Sequence, residues 1–90
     1  MSHTIREKSK LLARVRRIKG QVEAVERALD SELGCADILQ LVASVRGAVN
    51  GLTAELIEDH IKEHILDADN AAERRHGAEE LIEVVKTYLK

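Results

Sequence analysis

The sequence predicts an all-α protein in which each protomer has three helices, a long antiparallel helical hairpin followed by a short C-terminal helix. Three observations favour this fold: the 90 residues include no proline, 44% are hydrophobic but only 1% aromatic, and the apolar residues recur at helical spacing. A core of leucine, isoleucine, valine and alanine is typical of helix-on-helix packing. At this length we expect a single domain over residues 1–90.

Two apolar seams with the same heptad rhythm predict the long helices. Alternating steps of four and three residues join the positions of each seam, which are Leu11, Val15, Ile18, Val22, Val25 and Leu29, then Ile38, Val42, Val45, Val49, Leu52 and Leu56. The segment from Asp30 to Gly34 predicts a turn, and so short a connection favours an antiparallel hairpin. We interpret Gly20, inside the first helix, as a point of close helix approach.

The end of the chain predicts a third, shorter helix. Asp67 to Asn70 ends the second helix, and an apolar face fits a helix over residues 78–89, with Ala78, Leu81, Ile82, Val85, Tyr88 and Leu89 on one side. The second helix has apolar residues on more than one face, which a single hairpin leaves exposed. We therefore expect two hairpins to pair as a homodimer, in an antiparallel four-helix bundle.

The net charge of −2 hides an asymmetry, because residues 1–20 carry +6 and residues 21–90 carry −8. A basic stripe recurs at helical spacing along the first helix, with Arg16 and Lys19 broadening it; its members are Arg6, Lys10, Arg14 and Arg17. A solvated helix face is the alternative, but no acidic residue occurs from position 8 to 22. This bias favours a phosphate backbone as partner, and the lack of aromatic residues favours duplex DNA.

The two histidines His60 and His64 are four residues apart, the spacing at which a helix presents two nitrogen ligands to one metal ion. Alternatively, the two histidines interact favourably with the dipole at the C-terminal end of the helix. Two more donors strengthen the metal hypothesis, Cys35 and His3. At 1.5 Å per residue, Cys35 and His60 lie about 37 Å apart in one helix. An antiparallel dimer would instead bring Cys35 of one chain to both histidines of its partner, and the hairpin would bring the amino terminus with His3 to His60.

One thiolate with two or more imidazoles suits Ni(II), Co(II) or Zn(II) better than Cu(I). A buried structural cysteine is the alternative for Cys35, although Gly34 and Asp37 beside it predict a helix start. We interpret His76 as solvated. Without an H-E-x-x-H pattern or an evident substrate cleft, we expect no enzyme. A single cysteine and no apolar N-terminal stretch favour the cytoplasm, with no membrane partner.

The run RVRRIKGQV from Arg14, then Cys35, then ASVRGAVNGL from Ala43 ahead of the two histidines, resembles the CsoR/RcnR/FrmR family of metal- and formaldehyde-responsive repressors. The resemblance covers almost the whole chain. It implies an all-helical dimer that assembles into a tetramer and represses an efflux or detoxification operon until an inducer binds. It also implies that Lys10, Arg14 and Arg17 contact operator DNA.

Branches of that family differ at the inducer site. The Cu(I)-sensing branch has a cysteine where this chain has His64, and the formaldehyde-sensing branch has an N-terminal proline amine and an acidic residue at the positions of Ser2 and His64. The opening MSHTIR with Cys35 and the histidine pair is most similar to the nickel- and cobalt-sensing branch. There the ligands would be Cys35, His60, His64, His3 and the N-terminal amine, which we assign to Ser2. Formaldehyde sensing, and a metal-storage bundle with no DNA role, are the alternatives.

Overall fold

A computed structural model describes residues 7–90 of the chain, and these residues form three α-helices. Helix α1 spans Lys8–Asp30, α2 spans Cys35–Ile61 and continues into a π-helical turn at Lys62–Leu66, and α3 spans Ala71–Tyr88. The all-α prediction with two long helices and a C-terminal helix is confirmed. In the described part of the chain, no helix is long and apolar enough to cross a membrane.

Contacts group the chain into two compact units, Glu7–Thr53 and Ala54–Lys90. The first unit holds α1 and most of α2. A β-carbon built on Gly51 would lie 3.3 Å from a guanidinium nitrogen of Arg14, so an early part of α1 lies beside a late part of this α2 segment. The two helices are therefore antiparallel within this unit, as predicted. The single-domain organisation over residues 1–90 stays a prediction.

The α1–α2 turn ends the first helix with two hydrogen bonds that run back into it. The amide of Leu33 donates to the carbonyl of Ala28 at 3.0 Å, and that of Glu32 donates to Leu29 at 3.1 Å. Glu32 has a φ of 55°, in the left-handed region. This pattern is a Schellman motif, in which glycine is the residue normally preferred at the left-handed position. The predicted turn is therefore present, with a glutamate at its strained position.

The second unit packs α3 against the π-helical turn. Helix α3 begins at Ala71, seven residues before the predicted start at Ala78, so that boundary prediction was wrong. The reason is a helix cap: the side-chain oxygen of Asn70 accepts a hydrogen bond at 2.9 Å from the amide of Glu73. An asparagine at this position satisfies one of the amide groups left without a partner in the first turn of a helix.

Few apolar side chains are buried in the described protomer, where only Leu11 and Ala28 are more than nine-tenths covered. Residues of both apolar seams are exposed to solvent, including Val15, which is 45% exposed, and Val42, which is 47% exposed. Within the described protomer no helix approaches Gly20 closely, since a β-carbon there would meet no described atom within 4 Å. The close approach occurs at Gly77 instead, which is buried against His64.

Candidate functional site

A basic groove runs along α1, where three cationic side chains of the predicted stripe lie together. It encloses about 620 Å³ and is lined by Lys10, Ala13, Arg14, Arg17, Gln21, Ser44 and Ala48. Helix α1 supplies the charged residues, whereas α2 supplies only the small residues Ser44 and Ala48. Positions 10, 14, 17 and 21 follow helical spacing, so they share one face of α1. One side of the groove therefore carries a row of cationic side chains, and the other side consists of small residues.

The groove also contains a polar group that the basic stripe does not include. Gln21 is half-buried, and its side-chain oxygen is buried without a hydrogen-bond partner among the described residues. Gln21 is four residues after Arg17, and this helical spacing could have predicted that it lies on the same face as the basic stripe. Arg16 is exposed and does not line the groove, in agreement with its predicted place beside the stripe.

The predicted histidine pair lies at the junction between α2 and the π-helical turn. His60 is in the last turn of α2 and His64 is in the π-helical turn, and their ring centroids are 4.8 Å apart with a tilt of 43°. Turns of π-helix occur frequently at functional sites. The His64 side chain is 45% exposed, and its Nε2 lies 3.8 Å from a carboxylate oxygen of Glu63. Two imidazoles are therefore adjacent, and one of them is open to solvent.

His60 is oriented by the backbone of α3. Its Nε2 lies 2.8 Å from the carbonyl oxygen of Gly77. A carbonyl oxygen can only accept, so Nε2 carries the proton and donates, and in the neutral ring Nδ1 then keeps a lone pair. A metal-binding histidine commonly donates its other ring nitrogen to a carbonyl in this way.

Cys35 is the first residue of α2, and it is exposed. The predicted helix start is confirmed, and the alternative of a buried structural cysteine is wrong in this protomer. Because α2 is continuous from Cys35 to Ile61, Cys35 and His60 stand at opposite ends of one helix. Over residues 7–90, no three His, Cys, Asp or Glu side chains are close enough together to hold a metal ion.

A second groove, of about 470 Å³, adjoins His64, and three of its lining residues are glutamates. His64 and Gly77 line it together with Glu63, Glu73, His76 and Glu80. His76 is on α3 with a side chain that is 75% exposed and 3.7 Å from Glu80, which agrees with its interpretation as a solvated residue. The predicted ligands Ser2 and His3, and the basic residue Arg6, lie outside the described residues.

Two residues that hold this region together were not singled out from the sequence. A β-carbon on Gly77 would overlap the carbonyl oxygen of His64 and lie 2.9 Å from its carbonyl carbon. The side-chain Nε of Arg74 donates to the carbonyl of Ile65 at 3.2 Å. Because the third helix was predicted to begin only at Ala78, Arg74 and Gly77 fell outside it. Asn70, as a helix cap, would have predicted that both residues are on α3.

The described residues include a groove lined by three cationic side chains and a pair of adjacent imidazoles. The comparison with protein families gives the class of protein. Residues 7–87 match the family described as metal-sensitive transcriptional repressor. The chain belongs to this family, which confirms the resemblance. Its members are transcriptional repressors and not enzymes.

Individual relatives are similar over their whole length. The chain is 54% identical over 91 residues to an uncharacterised protein encoded in the bioA 5′ region of Serratia marcescens, with full coverage of both chains. It is 46% identical over 90 residues, again with full coverage, to the transcriptional repressor RcnR of Citrobacter koseri. Among solved structures, it is 44% identical to a glutamate-to-histidine variant of the formaldehyde-responsive regulator FrmR from Salmonella enterica serovar Typhimurium. The TM-score is 0.85, with 96% of this chain and 98% of the other covered.

Proposed function

We propose that the protein is a Ni(II)- and Co(II)-responsive repressor that binds operator DNA without metal and dissociates from it when metal binds. The repressor would act in the cytoplasm, and its release from the operator would derepress metal efflux. The observation that carries this proposal is the histidine pair, since His60 and His64 have ring centroids 4.8 Å apart and His64 is open to solvent. Membership in the family of metal-sensitive repressors supports the coarser part of the proposal.

The metal site would be shared between two protomers. Cys35 and His60 are 25 residues apart on a continuous helix, which separates them by about 37 Å and prevents them from sharing an ion within one chain. In an antiparallel dimer, Cys35 of one protomer would join His60 and His64 of its partner. His3 and the amine of Ser2 would complete the ligand set.

Exposed apolar seams support the homodimer. Val15, Val22 and Leu29 of the first seam are 45%, 49% and 58% exposed, and Val42 and Val49 of the second are 47% and 41% exposed. Covering such side chains contributes about 25 cal/mol per Å² of apolar surface removed from water. A second copy of the hairpin offers seams of matching heptad rhythm. The resemblance to the family further supports a tetramer made of two dimers.

Operator DNA would bind at the basic groove. Lys10, Arg14 and Arg17 line it together, so three cations face one surface at helical spacing. Such a row suits the phosphates of a duplex, whose neutralisation releases counterions and makes affinity fall steeply with salt. Arg16 would add to the positive surface from beside the groove.

Metal and DNA would compete through two arrangements of the oligomer. An ion bound by Cys35 of one protomer and the histidines of the other would tie the two α2 helices together and draw in the N-terminal arm. This arrangement would change the spacing of the basic grooves, so DNA affinity falls because metal favours the DNA-free arrangement. Linkage requires that DNA weaken metal binding by the same factor, which for typical allosteric proteins is about 5- to 150-fold.

The donor set supports nickel or cobalt as inducer. One thiolate, at least two imidazoles and an amine are of intermediate softness, which suits Ni(II), Co(II) and Zn(II) better than Cu(I). Zn(II) is the alternative inducer. X-ray absorption spectroscopy of the metal-loaded protein should show one sulfur and several nitrogen ligands, and a coordination number above four would distinguish nickel or cobalt binding from tetrahedral zinc.

A titration tests the whole proposal. Operator-length duplex is bound to the metal-free protein, and Ni(II), Co(II), Zn(II) or Cu(I) is added while DNA affinity is followed by fluorescence anisotropy. We expect Ni(II) and Co(II) to lower DNA affinity, and Cys35→Ala to abolish this response while leaving DNA binding intact. Unchanged DNA affinity at saturating nickel and cobalt would contradict the proposal.

Formaldehyde is a second candidate inducer, because Cys35 is exposed and the chain is 44% identical to a variant of the formaldehyde-responsive regulator FrmR. Formaldehyde would join the thiol of Cys35 to the N-terminal amine of the partner protomer through a methylene bridge, and its oxygen would leave as water with one proton from the thiol and one from the amine. Intact-mass spectrometry after aldehyde exposure detects such a crosslink, and its absence in wild type would exclude this candidate. The family membership argues against the metal-storage bundle, which predicts no salt-dependent duplex binding.

A further inference from the structure

Helix α3 contacts the segment that carries the histidine pair at the ring of His60. Nε2 of this ring donates to the carbonyl oxygen of Gly77 at 2.8 Å, across 17 residues of sequence, and the bond is partly buried. The acceptor is a backbone group, so no side-chain substitution of α3 supplies or removes it directly. The bond fixes which nitrogen of His60 carries the proton.

A second contact involves the backbone of His64. A β-carbon at position 77 would overlap the carbonyl oxygen of His64 and lie 2.9 Å from both its carbonyl carbon and its Cβ. Two of these atoms belong to the backbone and cannot move aside as the end of a flexible side chain could. Only glycine therefore lets α3 come this close, and this approach brings the Gly77 carbonyl within reach of His60.

A third contact comes from Arg74, one turn earlier on α3. Its Nε donates at 3.2 Å to the carbonyl of Ile65, and a terminal nitrogen lies 3.5 Å from the carbonyl of Ala68. Carbonyl groups at the end of a helix lack partners within it, so an arginine that binds them stabilises the end of the helix. The segment from His60 to Ile65 is thus held by α3 through His60, His64 and Ile65.

From these three contacts we infer that α3 positions the metal-binding histidines, with Gly77 and Arg74 as the positioning residues. Gly77 selects the His60 tautomer that is protonated at Nε2, so Nδ1 is the atom offered to metal, and Arg74 holds the π-helical turn that carries His64. This inference rests on the proposed function, which makes His60 and His64 ligands. It adds that contacts with α3 fix the orientation of His60 and the backbone of His64 in the metal-free protein.

Nuclear magnetic resonance of the metal-free wild-type protein tests the tautomer without any substitution. Long-range proton–nitrogen correlation spectra of ¹⁵N-labelled protein distinguish a protonated from an unprotonated ring nitrogen. We expect His60 to carry its proton on Nε2, whereas the exposed His76 should show an averaged mixture of tautomers. A His60 ring protonated at Nδ1, or one averaged like His76, overturns the inference.

Two matched pairs of variants test the positioning residues. Gly77→Ala is compared with Gly20→Ala, because a β-carbon at Gly20 would meet no described atom within 4 Å. Arg74→Met is compared with Arg75→Met, since Arg75 is 83% exposed and pairs with Glu79 one turn away. We expect Gly77→Ala and Arg74→Met to weaken Ni(II) or Co(II) binding by about 10- to 100-fold, as loss of an outer-shell partner typically does. In Gly77→Ala, the His60 ring should also show an averaged mixture of tautomers.

The outcomes separate this inference from the proposed function. If both positioning variants bind metal as tightly as their controls, the inference is wrong even when metal still releases DNA. If wild-type His60 has the expected tautomer but neither nickel nor cobalt binds, the proposed function fails and the positioning of His60 by Gly77 stands. Should Gly77→Ala fail to fold, the wild-type tautomer and the Arg74→Met pair still decide the matter.

Discussion

The rings of His60 and His64 lie with their centroids 4.8 Å apart, one at the end of α2 and the other in the π-helical turn that follows. If both are ligands, His64→Ala should weaken nickel and cobalt binding by more than the roughly 100-fold upper range for an outer-shell partner. DNA affinity without metal should not change. Isothermal titration with a competing chelator measures the metal affinity, and duplex titration measures the DNA affinity.

The matched control is His76→Ala, because His76 is on the neighbouring helix with a side chain that is 75% exposed. This variant should bind metal like wild type. Equal losses in the two variants would mean that histidine content, rather than the position of His64, determines binding, and would contradict the assignment of His64 as a ligand.

The basic groove predicts a graded effect of arginine substitutions on DNA binding. Arg14 and Arg17 line the groove and Arg16 does not, so alanine at Arg14 or Arg17 should weaken duplex binding more than alanine at Arg16. Each groove variant should lower the slope of log affinity against log salt by about one for each phosphate that the protein no longer neutralises. The metal affinity of the DNA-free protein should be retained.

Arg46→Ala serves as the control for charge alone, since Arg46 is exposed on α2 and does not line the groove. It removes one positive charge, as the Arg14 variant does, and it should leave the salt slope near that of wild type. A slope that falls equally in Arg14→Ala and Arg46→Ala would place the DNA elsewhere on the surface.

The sequence was sufficient for the helices because their signals are periodic. The two heptad seams predicted α1 and α2, and the spacing of Lys10, Arg14 and Arg17 predicted that they share a face, as they do in the groove. The predicted positions of Cys35 at a helix start and of the histidine pair near a helix end are also confirmed. Each of these features depends on residues that are near one another in the chain.

The errors concern features that periodicity does not encode. The start of α3 depends on one side-chain cap at Asn70, and the polar first turn of that helix has no apolar repeat to reveal it. Gly20 and Gly77 look alike in the sequence, yet among residues 7–90 of one protomer Gly77 approaches another backbone segment closely and Gly20 does not. That difference arises from which segments meet in three dimensions. The positioning contacts of His60 therefore had no signal of their own in the sequence.

The cap at Asn70 predicts a loss of stability on substitution. Asn70→Ala removes the acceptor of the Glu73 amide and should lower the free energy of unfolding by about 1 kcal/mol, whereas Asn70→Asp should retain most of it because aspartate also caps. Urea denaturation at fixed protein concentration measures the change. Asn50→Ala, at an exposed position inside α2, is the control and should not destabilise the protein. An Asn70→Ala variant as stable as wild type would show that the cap contributes nothing.

The turn between α1 and α2 predicts a gain of stability. Glu32 adopts a φ of 55° at the left-handed position of the Schellman motif, a conformation in which its β-carbon is strained and glycine is not. Glu32→Gly should therefore raise the free energy of unfolding by about 0.5–1 kcal/mol, because the relief of strain exceeds the added entropy of the unfolded chain. Glu26→Gly, inside α1, should act in the opposite direction and cost about 1 kcal/mol. Urea denaturation of both variants at one protein concentration checks the two signs, and a destabilised Glu32→Gly would mean that the glutamate side chain contributes more to the turn than its backbone strain costs.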